Sequence, residues 1–173
     1  MRVLKRLFAS AVVALAIAAS GSALHPFGQV RKEKSRGSLL EGGEIDGGTL
    51  SILERACQNC HSERTDWPWY SHVAPASWLV ERDIRRARAH LNLSQWQHYS
   101  EDQRDALLSA IGAAARTRVM PPGRYTLLHP EARLSGVERE QLYKWTRRER
   151  RRLKPDRAIR IASEVPVRRK QRK

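Results

Sequence analysis

The chain of 173 residues has two cysteines, two methionines and an aromatic share of only 6%. Two cysteines rule out the multi-bridge framework that staples small secreted domains. A structural zinc site would need four ligands, usually with a second Cys or His pair at matched spacing. His25, His72, His90, His98 and His129 are instead scattered singly. Sustained strand-like alternation is lacking, so a βαβ surround of the thioredoxin kind has no support. No internal repeat occurs, and residues 7–19 form the one long apolar run, so the chain is not polytopic. Acidic groups are also scarce, with 18 Asp and Glu against 33 Lys and Arg for a net charge of +15.

That charge is unevenly placed. Residues 147–173 carry 13 Lys and Arg against 3 Asp and Glu, a net of +10, and residues 24–146 carry 17 against 15. The globular part is therefore near neutral. The tail from Arg147 is expected to begin as a continuation of the last helix, fray at Lys154-Pro155 and otherwise be solvated and disordered, as blocks of like charge usually are. Its functional alternative is docking on an acidic redox partner or an anionic membrane, which raises encounter rates and depends on salt.

The two cysteines stand together in Cys57-Gln58-Asn59-Cys60-His61, a C-x-x-C-H pattern. This is the attachment signature of c-type haem. Two thiols add across the two vinyl groups of one porphyrin, and two intervening residues let them reach both. The adjacent imidazole then binds iron from one axial side, leaving the other to a distant residue. Cys57 and Cys60 are thus the expected covalent anchors of one haem c, and His61 the first iron ligand.

Thioether attachment implies export. Arg2, Lys5 and Arg6 form a basic region ahead of the apolar run, and Gly21-Ser22-Ala23 offers small residues where a signal peptidase cuts. Residues 1–23 are read as a signal peptide. The alternative is an uncleaved anchor, since residues 7–24 reach the short limit for spanning a bilayer. Either way the folded part faces the periplasm or an equivalent compartment.

Beyond the export segment about 150 residues remain, enough for one domain. Residues 24–48, rich in glycine and charge, read as a flexible linker. A helix from Thr49 with Leu50, Leu53 and Ala56 on one face leads into the cysteine motif. Pro75-Ala76-Ser77 opens a second helix, with Trp78, Val80, Ile84 and Ala87 as its buried side. Ser100-Glu101-Asp102-Gln103 is a capping-box pattern opening a third, whose apolar stripe is Ala106, Leu107, Ala110, Ile111 and Ala114. Ser135-Gly136-Val137-Glu138 opens a fourth, with Val137, Leu142 and Trp145 inward. The fold class is all-α, with the main domain at residues 49–146.

Met1 is the initiator, so a methionine ligand from this chain must be Met120, 59 positions after His61. Pro121 and Pro122 follow it. A residue before proline is pushed out of the helical region, so Met120 should end the third helix and project from a stiffened segment. A thioether favours ferrous iron and raises the reduction potential. His72 and His129 are rival ligands, and His129 is the better placed of the two. Arg118 and Arg124 flank Met120 and either pair with haem propionates or are simply solvated. Trp67, Trp69 and Tyr70 either line the porphyrin edge or pack their loop, while Trp78, Trp96 and Trp145 read as core.

The pattern as a whole resembles a known family, the single-haem bacterial haem-binding domain proteins of the cytochrome c superfamily. The resemblance rests on Cys57-Gln58-Asn59-Cys60-His61-Ser62, Trp67-Pro68-Trp69-Tyr70-Ser71, Ala74-Pro75-Ala76-Ser77-Trp78 and Leu91-Asn92-Leu93-Ser94-Gln95-Trp96. It continues through Met120-Pro121-Pro122 with Tyr125, His129-Pro130 and Leu134-Ser135, covering about Leu50 to Trp145. It implies haem attachment and a cytochrome c-like bundle of about four helices wrapped around one covalent haem. The basic tail lies outside it.

The reading that follows is an exported monohaem cytochrome carrying single electrons between redox partner proteins. With both axial positions filled no site is open to a substrate, so no enzyme activity is expected. One alternative is a haem sensor or small-gas binder with an open or exchangeable sixth position. Another, from a different class, is a polycation acting through its tail. Nucleic acid is not an expected partner of an exported protein.

Overall fold

The computed structural model describes residues 2–28, 30 and 38–164, with side chains up to residue 153. Regular structure among these residues is entirely helical, as the all-α reading requires. The α-helices are α1 (Arg2–Ser22), α2 (Gly47–Ala56), α3 (Gln58–His61), α4 (Ala76–His90), α5 (Glu101–Arg116), α6 (Gly123–Leu128) and α7 (Gly136–Glu164). Short 3-10 turns lie at Trp69–His72, Leu93–His98 and Pro130–Ala132. The four helices expected from periodicity are α2, α4, α5 and α7. The additional α3 and α6 have four and six residues, too few to show a helical repeat in sequence.

The chain divides into two compact units. One comprises Met1–Leu39 and Cys57–Gln95, the other Leu40–Ala56 and Trp96–Lys173.

In the first unit α4 packs against α3 and the Trp69–His72 turn. Ile84 and Ser77 of α4 are buried, and Trp78, expected in the core, is half-buried. Its indole N–H is shared between the carbonyls of Gly21 (3.0 Å) and Leu24 (2.9 Å).

In the second unit α5 and α7 pack antiparallel, as the paired positions 105 with 150, 112 with 146 and 116 with 143 require. Asp105 takes both oxygens to Arg150, at 2.8 and 3.1 Å, and Arg116 lies 4.4 Å over the Tyr143 ring. The buried line of α5 is Leu108, Gly112 and Ala115. Ala106 and Ala110 of the expected stripe are exposed, and Leu107, Ile111 and Ala114 are only partly covered. The buried face is displaced because Gly112, which carries no apolar signal, is where α7 approaches. A Cβ there would lie 2.7 Å from Thr146 Oγ1. On α7, Leu142 and Trp145 are buried as expected, but Val137 is 79% exposed. Val137 lies in the first turn, ahead of the buried face that continues through Thr146, Glu149 and Leu153.

Local signals set the helix ends. Both capping boxes form: Ser100 Oγ accepts from Gln103 N while Gln103 reaches back to Ser100 N, and Ser135 and Glu138 exchange the same two bonds. α2 starts two residues before the expected Thr49, because Asp46 is its cap and accepts from Thr49 N at 2.9 Å. That bond and the Thr49 hydroxyl, with Arg148 beside it, hold the Asp46 carboxyl below its ordinary range. Its buried positions are Thr49, Ile52, Leu53 and Ala56, while Leu50 is only partly covered.

Parts of the segment read as linker are folded. Leu39 and Leu40 are buried, Trp145 Nε1 donates to Glu44 O at 2.9 Å, and Glu44 N donates to Glu149 at 3.1 Å. The last helix continues beyond Arg147 as expected, with Glu149 and Leu153 buried, but α7 runs on through Pro155 to Glu164 rather than fraying at Lys154-Pro155. Residues 165–173 lie outside the described residues.

Candidate haem-binding site

The motif occupies a single helical turn. Cys57 is the N-cap of α3, and its carbonyl accepts from Cys60 N (3.3 Å) and His61 N (3.0 Å). The three-residue offset and these bonds bring Cys57 and Cys60 into the same turn. The two thiols are not joined as a disulfide. His61 closes the turn, and its ring Nδ1 lies 3.2 Å from the Leu91 carbonyl just beyond α4. A carbonyl only accepts, so the proton sits on Nδ1 and the lone pair on Nε2. Burial is the main reason the imidazole stays below the ordinary histidine range, aided by nearby His90 and opposed by the carbonyls of Leu91 and Ala87. A neutral imidazole with an oriented Nε2 lone pair is the form that binds a metal.

A polar lock holds the chain after His61. Thr65 and Ser62 are both buried. Thr65 Oγ1 donates to the Asn59 carbonyl at 2.7 Å, Ser62 Oγ donates to the Gln58 carbonyl at 2.7 Å, and Asn59 Oδ1 accepts from Asp66 N at 2.9 Å. Arg88 reaches from α4 into this knot. Its Nε donates to the Ser62 carbonyl (2.9 Å) and its Nη2 to Thr65 Oγ1 (3.0 Å). Desolvation lowers the guanidinium's pKa, while nearby Glu63 and Cys60 favour its charge. The side chain of Glu63 accepts from Gln95 (2.8 Å) and Asn92 (3.1 Å), tying the loop to the chain beyond α4. Sequence reasoning missed Arg88 and Thr65. The available signal was a cation at position 88 in line with Ile84 and Leu91 at helical spacing, where an apolar residue belongs.

Met120 lies in the second unit, between α5 and α6. The end of α5 is a Schellman turn: Arg118 stands at φ +61°, its N–H bonds the Ala115 carbonyl, and Val119 N bonds the Ala114 carbonyl at 3.2 Å. Met120 N is 3.4 Å from the same carbonyl, so the turn delivers Met120 directly off the helix, ahead of Pro121. Met120 is 38% exposed and its neighbour Val119 62%, and on α6 Leu127 is 74% and Leu128 62% exposed. Among the rivals, His129 stacks on Tyr125 with ring centroids 4.4 Å apart and its Nδ1 lies 3.0 Å from Glu131. His72 is exposed on the Trp69–His72 turn. Trp69 is 80% exposed and meets Tyr70 edge-on. Arg118 and Arg124 are both exposed.

The first unit by itself presents donors that fit haem, two thiols in one turn beside a neutral, oriented imidazole. No group of three or more His, Cys, Asp or Glu that could hold a metal ion occurs among the described residues.

Comparison with known proteins agrees with this chemistry. The model of the family described as haem-binding domain matches residues 23–148. Cytochrome c peroxidase Ccp of Escherichia coli (strain K12) is 28% identical over 109 residues, covering 57% of this chain. The matched region is 22% of that protein, so the chain spans about a fifth of the relative's length. No solved structure matches.

Proposed function

The chain belongs to the haem-binding domain family, and from that premise we propose that it is an exported monohaem c-type cytochrome that carries single electrons. The observation that carries the reading is the α3 turn, which Cys57 caps and which holds Cys60 and His61, with the Leu91 carbonyl orienting the His61 ring. In this reading Cys57 and Cys60 would hold the haem through their thiols, and His61 Nε2 and Met120 Sδ would bind its iron. When bound, haem supplies a one-electron ferric/ferrous couple. The protein holds the ligands, shields the ring from water and leaves an edge for tunnelling.

Each residue has a share in this. The Leu91 carbonyl raises the basicity of His61 by accepting its Nδ1 proton. The lock of Arg88, Ser62 and Thr65 keeps the α3 turn from unwinding under the attached group. Val119, next to Met120 in the chain, and Leu127 and Leu128 of α6 are exposed apolar side chains of the same unit. The exposed cations Arg147, Arg148 and Arg151 of α7 suit an acidic redox partner or an anionic surface. The apolar helix α1 is compatible with export.

The likeness to a protein named cytochrome c peroxidase favours a second reading, in which the sixth iron position exchanges and a small ligand binds there. Spectra of the matured protein separate the two. A weak far-red charge-transfer band in the oxidised state, lost in Met120→Ala, marks Met–iron ligation and supports electron transfer. A haem spectrum without that band, together with rapid carbon monoxide binding to the reduced protein, refutes the Met120 assignment in favour of the exchangeable site.

A further inference from the structure

We propose that α1 is retained in the mature protein as a bilayer-spanning anchor whose last turn is built into the haem-bearing unit. This rests on the reading of an exported protein and adds where that protein resides.

The residues around Gly21-Ser22-Ala23, where a signal peptidase would cut, are bonded to the folded unit from both sides. Ahead of the cut, the Gly21 carbonyl accepts from Trp78 Nε1, and Ser22 Oγ accepts from the backbone N–H of buried Ala74 at 2.9 Å. A side chain at Gly21 would come within 3.2 Å of both Ala74 Cβ and the Trp78 ring, so this position is fitted to its neighbours. Behind the cut, the Leu24 carbonyl takes the other share of the same indole N–H. His25 Nδ1 lies 2.8 Å from Glu81 Oε2, a carboxylate only 1% exposed, and Arg82 covers the Phe27 ring at 5.9 Å. The turn closes at Gly28, φ +81°, where a Cβ would fall on the Arg85 guanidinium. Cleavage after Ala23 would strip Ala74 N–H of its partner and place a new ammonium beside Trp78. A disposable leader has no reason to satisfy a buried amide of the domain it leaves.

The occupant of the rest of α1 is the hydrocarbon of a bilayer. Arg2–Ser22 has no buried residue, and Leu4, Leu7, Phe8, Leu15 and Ile17 are each at least 62% exposed. Its 21 residues rise about 31 Å end to end; the uncharged part from Leu7 to Ser22 accounts for about 24 Å of this, and the long side chains of Arg2, Lys5 and Arg6 reach the headgroups across the remainder. Arg2, Lys5 and Arg6 mark the cytoplasmic end, and Trp78 stands at the opposite end, where an indole suits the membrane interface. From Trp78 to Arg88 is about 15 Å along α4, so the cysteine motif is tethered within a short distance of that surface.

The test is to express the full chain with haem maturation, separate membranes from the soluble fraction, wash the membranes with alkaline carbonate and weigh the polypeptide. The expected result is a carbonate-resistant chain close to the full 19.8 kDa plus one haem. A soluble form beginning near Leu24, a full-length form released by carbonate, or a soluble full-length oligomer each overturn the proposal. Haem staining of the same band keeps the two readings apart. A membrane-held full-length chain without haem supports the anchor and sinks the cytochrome assignment.

Discussion

Thr65→Val isolates the polar lock behind the haem motif. Valine keeps the shape of threonine and removes only the hydroxyl, at a side chain that is 3% exposed. That hydroxyl donates to the Asn59 carbonyl at 2.7 Å and accepts from Arg88 Nη2 at 3.0 Å. The substitution therefore leaves one carbonyl of the α3 turn and one guanidinium N–H without this partner. An unsatisfied buried carbonyl costs about 1–3 kcal/mol, and the half-buried Arg88 recovers part of its loss from water. The net expectation is about 2–3 kcal/mol, or a thermal midpoint about 4–12 °C lower for a fold of this size. The assay is thermal unfolding of the matured protein, followed by far-ultraviolet circular dichroism and by Soret absorbance. Thr65→Ser keeps the hydroxyl, gives up one methyl group and should retain most of the stability. A Thr65→Val midpoint within 1 °C of the parent would refute the lock, as would Thr65→Ser falling equally far, which would put the energy in the methyl group.

Three further outcomes follow from single contacts. Gly112→Ala places a methyl group 2.7 Å from Thr146 Oγ1, which is buried and bonded to the Tyr143 carbonyl. Crowding of about 1–3 kcal/mol outweighs the roughly 1 kcal/mol of helix propensity gained, so urea unfolding should shift to lower concentration and Gly112→Ala with Thr146→Ala should recover part of the loss. Arg118→Gly relieves a side chain at φ +61° and should stabilise the protein by about 1 kcal/mol in the same assay. The Glu138 carboxyl is held below its ordinary range chiefly by Ser135 N–H, with Arg55 assisting. Its contribution is therefore complete above the unfolded carboxylate value of about 4.3 and fades as pH falls through the lower folded value. Glu138→Gln should flatten that part of the acid limb in thermal melts between about pH 5 and pH 2, and an unchanged slope would show the carboxylate uninvolved.

Much of the site was legible because its information is local. The spacing of Cys57, Cys60 and His61 is a property of one helical turn, and the structure places all three on α3. The boxes at Ser100 and Ser135 form because each needs only residues three apart. Met120 is singled out by the scarcity of methionine and is delivered by the end of α5, although the Schellman turn relies on Arg118, which carries no glycine signature. Short helices such as α3 and α6 leave no period to detect, and the start of α2 was misplaced because Asp46 is a cap without a following Glu or Gln.

By itself, then, the sequence determined the helical class, the capping boxes at Ser100 and Ser135 and the spacing of Cys57, Cys60 and His61, since each depends on neighbours within one or two turns. Tertiary structure alone decided which face of α5 is buried, because Gly112 becomes a contact only when α7 arrives against it. It alone recruited Arg88 and Thr65, 23 positions apart, into one hydrogen-bonded knot. It also joined Ser22 to Ala74 across 52 positions, turning a segment that reads as disposable into part of the folded unit. Spacing along a chain specifies what a residue can do within its own helix. Which polar groups must satisfy each other once water is excluded is set only when distant segments meet.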